Sequence, residues 1–391
     1  MHRARGDKAM PDHVTERPVS GRERILALDV LRGFAMVGVL IAYCMWSLGT
    51  APEESWSPLD RRIGDAVGFL IDGKFYTILA TLFGLGFSIQ LGRASDDAAA
   101  VETYCRRLAI LAGIGLAHAL LLRNGDILLP YALTGFLLIP FRRASDRMLI
   151  LSALAILIAN AALRAFWTDL GFASLQRPDL RNASYLTENV AWVRYWYSTA
   201  LFTWPTNLTM FLLGYCAGRA RLLQRLANRP RTLATILVAG LAAGTAFHVA
   251  RMALLQAADP SPLIGSIAWL LFTFHCWGMS SGYTAALLLA LRSKAGAAAL
   301  SPLAAVGKMA LTNYLLQAGI AVPLCLAFGW FDQFTPTSSL LLVAGILAFE
   351  VPFSVAWTRN FQFGPAEWVW RLLTYQRLPP LRQAREELAP L

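Results

Sequence analysis

Charge is what this chain has least of. Only 15% of its 391 residues are Asp, Glu, Lys or Arg, where an ordinary soluble domain has about 25%, and 56% are hydrophobic. Cysteine is also scarce. The five cysteines include no C-x-x-C pair, so the spacing supports neither a disulfide framework nor a zinc cluster, and no metal site is expected. The chain has no P-loop, G-x-S-x-G elbow, H-E-x-x-H pair or glycine-rich dinucleotide fingerprint, which sets aside the commonest nucleotide-binding and hydrolytic designs. No repeat of the kind that marks inverted-repeat transporters stands out.

Long apolar runs are what the chain has instead, and its mean hydropathy is +0.49. A net charge of +11 would suit a nucleic-acid partner. The arginines, however, lie in short stretches between apolar runs, where they set topology, so a lipid bilayer and not nucleic acid is the expected partner. About ten runs are long enough to cross or enter a bilayer: Ile25–Leu48, Phe75–Leu91, Leu108–Leu122, Ile127–Phe141, Met148–Leu163, Leu201–Cys216, Leu233–Leu255, Leu263–Leu291, Leu303–Phe328 and Leu340–Trp357. Arginines such as Arg106, Arg107, Arg142, Arg143, Arg219 and Arg225 gather at alternate ends of these runs. With the amino terminus inside, the inner stretches hold far more of them than the outer ones. The expectation is an all-α polytopic membrane bundle of about ten transmembrane helices with both termini cytoplasmic.

The expected organisation is a disordered cytoplasmic tail over 1–24, an N-terminal membrane half over 25–220, a C-terminal half over 221–378 and a second tail over 379–391. The first apolar run is too long and too charged for the h-region of a cleaved signal peptide. The pairs Gly214 with Gly218 and Gly240 with Gly244 have the spacing that lets helices approach closely. Aromatics in the long outer loop, Trp192, Tyr195, Trp196 and Tyr197, read as interfacial anchors, with a lid over an outer site as the sharper alternative.

Polar residues inside apolar runs are costly and point to function. Asp29 and Arg32 lie one turn apart in the first run, on one face. Helix rise puts Arg32 about 12 Å from the inner end of its run and His118 about 6 Å from the outer end of its own, so the two belong to opposite leaflets. An outer group is expected around Asp72, Lys74, His118 and the Asn124-Gly125-Asp126 turn. There His118 suits a general base that Asp126 orients, against a structural histidine and an Asp126 that merely caps a helix. An inner group holds Asp29, Arg32, Lys308 and Glu350, the last two as a pair across helices. Asn313 and Gln317 form a polar stripe facing a partner helix or a ligand. His275 is placed deep in its run, with packing and function both open.

Several of these residues fall in motifs that resemble a known family. Arg24-Ile25 with Leu28-Asp29-x-x-Arg32-Gly33-Phe34, Lys74-Phe75 with Leu82-Phe83-Gly84-x-Gly86-Phe87, and His118 with Gly125-Asp126-Ile127-Leu128-x-x-Tyr131-Ala132-Leu133 look like YeiB-like membrane proteins, which carry the domain of unknown function 418. So do Met309-Ala310-Leu311-Thr312-Asn313-Tyr314 with Gln317, and Gly364-Pro365-x-Glu367-Trp368-x-x-Arg371. Where that family usually has an Asn in its first helix, this chain reads Leu40-Ile41-Ala42-Tyr43.

Such proteins are in turn similar to transmembrane acyltransferases whose first core helix carries D-x-x-R-G. That resemblance implies a cell-membrane protein with acyl-CoA as a cytoplasmic co-substrate and no permanently bound cofactor, acting on a cell-envelope acceptor. On that reading Asp29, Arg32, Arg106, Arg107, Arg142 and Arg143 form the CoA-binding mouth, with the arginines receiving the CoA phosphates. His118, Asp126 and Lys74 serve catalysis, with Lys74 or Asn313 stabilising the oxyanion, and Asp72, Asn313 and Gln317 serve substrate binding. The rival reading is a transporter or exporter that uses the buried charges as its path.

Overall fold

The computed structural model describes residues 21–91, 97–122, 126–166, 184–198, 200–257, 259 and 261–382. Every extended element among them is a helix, and the only β-type contacts are the isolated bridges Thr50 with Phe334 and Phe361 with Arg382. In chain order the helices are α1 (Gly21–Ala42), α2 (Pro58–Leu70), α3 (Lys74–Leu91), α4 (Asp97–Leu121), α5 (Leu128–Leu138), α6 (Asp146–Ala165), α7 (Tyr185–Ser198) and α8 (Ala200–Arg219). They continue with α9 (Leu222–Ala227), α10 (Pro230–Ala257), α11 (Pro262–Ala290), α12 (Lys294–Lys308), α13 (Ala310–Phe328), α14 (Pro336–Asn360) and α15 (Pro365–Tyr375). Eight helical stretches among the described residues are long and apolar enough to cross a membrane.

Each expected apolar run corresponds to a helix, with three differences. The helix α1 starts at Gly21, inside what the sequence suggests is tail; residues 1–20 and 383–391 lie outside the described residues. The helix α2 fills a stretch expected to be loop. Its sequence signal is a capping box: the Ser57 hydroxyl takes the Asp60 amide while the Asp60 carboxylate takes the Ser57 amide, with Pro58 next in line. Finally, the run Leu303–Phe328 is two helices, α12 and α13, broken at Met309.

That break is held by specific partners. At the break the Val306 carbonyl accepts both the Met309 amide and the Asn313 side-chain amide, each at 3.1 Å, and the first amides of α13, Leu311 and Thr312, donate to Glu367 of α15 at 2.6 and 3.2 Å. A broken helix persists in a membrane only where neighbours satisfy the freed groups. The break between α2 and α3 follows the same rule. Gly73 turns the chain at φ +79°, and the carbonyls at the end of α2 are met by the Lys74 ammonium at Gly68 (2.7 Å), by His275 at Phe69 (3.2 Å) and by the Tyr283 hydroxyl at Leu70 (3.0 Å).

Helix α1 crosses α12 at near backbone contact. A Cβ on Gly33 would land on the Leu303 carbonyl oxygen, and one on Gly307 would land on the Asp29 carbonyl oxygen. The glycine after Arg32 is therefore a packing requirement, and it seats Asp29 and Arg32 beside Lys308. Helices α10 and α11 form a hairpin that meets in the same manner, with Gly240 and Gly244 against Gly278.

Gly33→Ala should accordingly lower the melting temperature of detergent-purified protein by an amount corresponding to about 1–3 kcal/mol. Gly113→Ala, where an added Cβ meets nothing within 4 Å, should leave the melting temperature unchanged or raise it slightly.

Candidate functional site

Between α1, α3, α4, α5, α13 and α15 lies a cavity of about 990 Å³, at the upper end of the size of small-molecule sites. Its polar wall carries Asp29 and Arg32 from α1, Arg107 from α4, Lys308 from the end of α12, and Glu367 and Arg371 from α15. The Arg32 guanidinium lies 3.5 Å from the Asp29 carboxylate. Arg107 stacks on the Trp370 ring at 4.2 Å and contacts Gln90 at 3.4 Å, while Arg371 stacks on Phe363 at 4.2 Å. Among the described residues no carboxylate forms an ion pair with Arg107, Lys308 or Arg371. The wall thus carries more positive than negative charge. Burial holds the Glu367 carboxyl above the usual carboxylate range, opposed by the Thr312 hydroxyl at 2.5 Å and by the amides it caps.

Beyond this rim the wall is apolar, with Leu79, Leu82, Phe83, Leu108, Leu111 and Leu311, and it ends on Tyr131, Ile127 and Tyr314. Behind Tyr314 sits the polar group that His118 heads. Asp126 uses its two oxygens separately. Its Oδ2 takes the Leu129 amide at 2.7 Å, which caps α5, and its Oδ1 takes the Tyr314 hydroxyl at 3.2 Å. The same Oδ1 lies 3.3 Å from His118 Nδ1, close enough for an ion pair but not aligned for a hydrogen bond. The Tyr314 oxygen also accepts the Ile127 amide at 3.0 Å, and its ring stacks on the His118 imidazole at 4.7 Å. His118 is 3% exposed, and its Nε2 has no hydrogen-bond partner among the described residues. Asp126 thus acts as a cap for α5, and it lies beside His118 without a hydrogen bond that would orient the ring.

The other expected site residues go elsewhere. Lys74, the first residue of α3, is fully buried, with its ammonium on the Gly68 carbonyl near the end of α2 and 5.5 Å from the Phe272 ring; Asp72 accepts Trp46 Nε1 at 2.9 Å. Asn313 is spent on Val306 and Ser354, and Gln317 donates to Glu350 at 2.9 Å. None of these four lines the cavity. Glu350 therefore takes Gln317, not Lys308 as the sequence suggests. Arg106 pairs with Glu102 at 2.6 Å and reaches the Thr374 carbonyl at 3.3 Å, clamping α15 onto α4. Arg142 and Arg143 close the 3-10 turn after α5, away from the cavity wall. Asn124 and Gly125 lie outside the described residues. His275 lies between two carbonyls, Gly244 at 2.8 Å from Nδ1 and Phe69 at 3.2 Å from Nε2, and a neutral ring donates to one of them. The sequence reading leaves Arg371, Trp370 and Tyr314 out of the site, although two of them stand in the motifs it singles out.

The chain is a multi-pass, all-helical membrane protein with a cavity in its bundle that carries net positive charge. Residues 217–377 match the family described as "Protein of unknown function (DUF418)". The chain is 28% identical to the uncharacterized protein YxaH of Bacillus subtilis, covering 93% of this chain and 98% of that one. It is 27% identical to an uncharacterized 39.9 kDa protein from the amylase 3' region of Bacillus acidopullulyticus, covering 94% and 99%. Identity to the uncharacterized protein YeiB of Escherichia coli is also 27%, over 92% and 98%. No solved structure matches. The carboxyl-terminal stretch thus resembles the DUF418 family, and over nearly its whole length the chain is similar to YxaH and YeiB.

Glu367→Ala leaves two amides of α13 without acceptors and should destabilise the purified protein by about 2 kcal/mol. Glu367→Gln keeps an acceptor oxygen there and should recover most of that loss in the same thermal-unfolding assay.

Proposed function

We propose that this protein is a membrane acyltransferase that takes an acyl group from acyl-CoA in the α1–α15 cavity and passes it to a hydroxyl or amine acceptor from the opposite side of the cell membrane. One observation carries the reading: a cavity whose cationic rim leads along an apolar shaft to Tyr314, directly in front of the His118–Asp126 pair. Guanidinium groups grip phosphates by paired charge-assisted hydrogen bonds, so Arg32, Arg107 and Arg371, with Lys308, suit the phosphates of CoA. The shaft suits the pantetheine arm and acyl chain. The distribution of arginines along the chain orients the rim to the cytoplasm.

In the transfer, His118 Nε2 accepts the proton of the acceptor while the acceptor's oxygen or nitrogen attacks the thioester carbonyl carbon. The tetrahedral intermediate then collapses, the C–S bond breaks and CoA leaves as the thiolate, which takes up a proton. Tyr314 stands between the shaft and the imidazole, so the approach requires its ring to swing aside. Lys74 and Asn313 are committed to backbone carbonyls and the Tyr314 hydroxyl donates to Asp126, so Tyr314 can serve the oxyanion only by releasing Asp126 as its ring swings aside. A transport reading draws on the broken helices, but their freed backbone groups are taken by Glu367, Asn313, Lys74, His275 and Tyr283.

Purified protein should bind radiolabelled acyl-CoA and hydrolyse it slowly. Arg107→Gln and Arg371→Gln should each weaken binding about tenfold, the loss of one charge-assisted contact. His118→Ala should keep binding and reduce hydrolysis about a hundredfold or more. Failure to bind any acyl-CoA would remove this reading.

A further inference from the structure

A second polar cluster lies outside the cavity, where α3 meets the α10–α11 hairpin, and the acyl-transfer reading makes no use of it. Two cations flank one ring: Lys74 Nζ is 5.5 Å and Arg251 Cζ 5.3 Å from the centroid of Phe272. Among the described residues no carboxylate forms an ion pair with either of them. Asp72, the acid next to Lys74 in sequence, gives its carboxylate to Trp46. His248 precedes Arg251 by three residues and so shares its face of α10; its Nδ1 is buried without a hydrogen-bond partner among the described residues, and its ring packs 4.9 Å from His275.

The location of this excess charge sets what can balance it. Helix α10 has 28 residues and is about 42 Å long, so it overhangs a hydrocarbon core of about 30 Å by about 6 Å at each end when centred. Arg251 lies six residues before the end of α10, about 9 Å along the axis, and therefore just inside the hydrocarbon boundary. A guanidinium at that level is costly without an anion, and the anions at that level are headgroup phosphates. Val249 and Val238, which lie deeper along the same helix than Arg251, are exposed, which offers an apolar surface for acyl chains below such a headgroup.

We infer that the α10–α11 hairpin holds an anionic phospholipid at the end where the two helices connect. Arg251 and His248 bind its phosphate, and the buried Lys74 ammonium supplies a fixed positive charge behind them. The site is independent of what the cavity binds.

The test uses the full chain in nanodiscs of phosphatidylcholine with a minor fraction of phosphatidylglycerol, followed by native mass spectrometry of the released protein. Wild type should retain phosphatidylglycerol in preference to phosphatidylcholine, and Arg251→Gln or His248→Ala should reduce that preference about tenfold. Arg251→Lys keeps the charge and should keep most of the preference, which separates loss of the site from loss of the fold. Equal retention of the two lipids would show that Arg251 only extends toward headgroups in general and would overturn the proposal. So would thermal stabilisation by inorganic phosphate alone equal to that given by phosphatidylglycerol, since it would mark a free-anion site.

Discussion

The contact between the Glu367 carboxylate and the amino end of α13 ties together more of this molecule than any other. The chain breaks between α12 and α13 at Met309, and the amides exposed at the head of α13 need acceptors from outside that helix. One carboxylate from the last helix meets both Leu311 and Thr312. Because Glu367 is anchored there, α15 lies along α13 and α4, and its Trp370, Arg371 and Tyr375 become cavity wall. The break also ends α12 at Lys308, which places that ammonium at the rim. A local defect in one helix thus determines the shape of a binding space.

The first helix supports the same space from the other side. Its Asp-x-x-Arg-Gly element combines two demands: a backbone bare enough for α12 to approach, and a charged pair held at the edge of the cavity. Neither is met without the other, because a side chain at position 33 would push Asp29 and Arg32 away from Lys308. The apolar shaft and the His118 group are then reached through residues contributed by helices far apart in sequence.

Much of the architecture was legible in the sequence because it depends on the length of apolar runs, a property each segment carries by itself. All ten expected runs are helical, and Asp126 and His118, which lie close in sequence, lie close in space. What escaped were features that depend on partners distant in the chain. Met309 is not a helix breaker by type; its break is stabilised by a carboxylate from α15 and an amide from α13. Lys74 and Asp72 lie near the expected outer group in depth, yet Lys74 turns toward α11 because the carbonyls ending α2 need a donor there. Arg142 and Arg143 look equivalent to Arg106 and Arg107 in any topology count, but only Arg107 reaches the cavity, through its stack on Trp370. Depth and charge can be read along one helix, whereas rotation about its axis depends on neighbours.

The position of α15 in the chain has a consequence for biogenesis. A polytopic protein emerges from the ribosome at about 5–20 residues per second, amino end first. The segment from Gln362 to Tyr375, which completes the cavity and caps α13, is synthesised after every long helix. Until it docks, the bundle has inserted its spans but holds two unmet amides and an open charged rim. The final assembly step therefore takes place at the membrane surface, after insertion, and a chain shortened by a few dozen residues at its carboxyl end would keep its helices and lose its chamber.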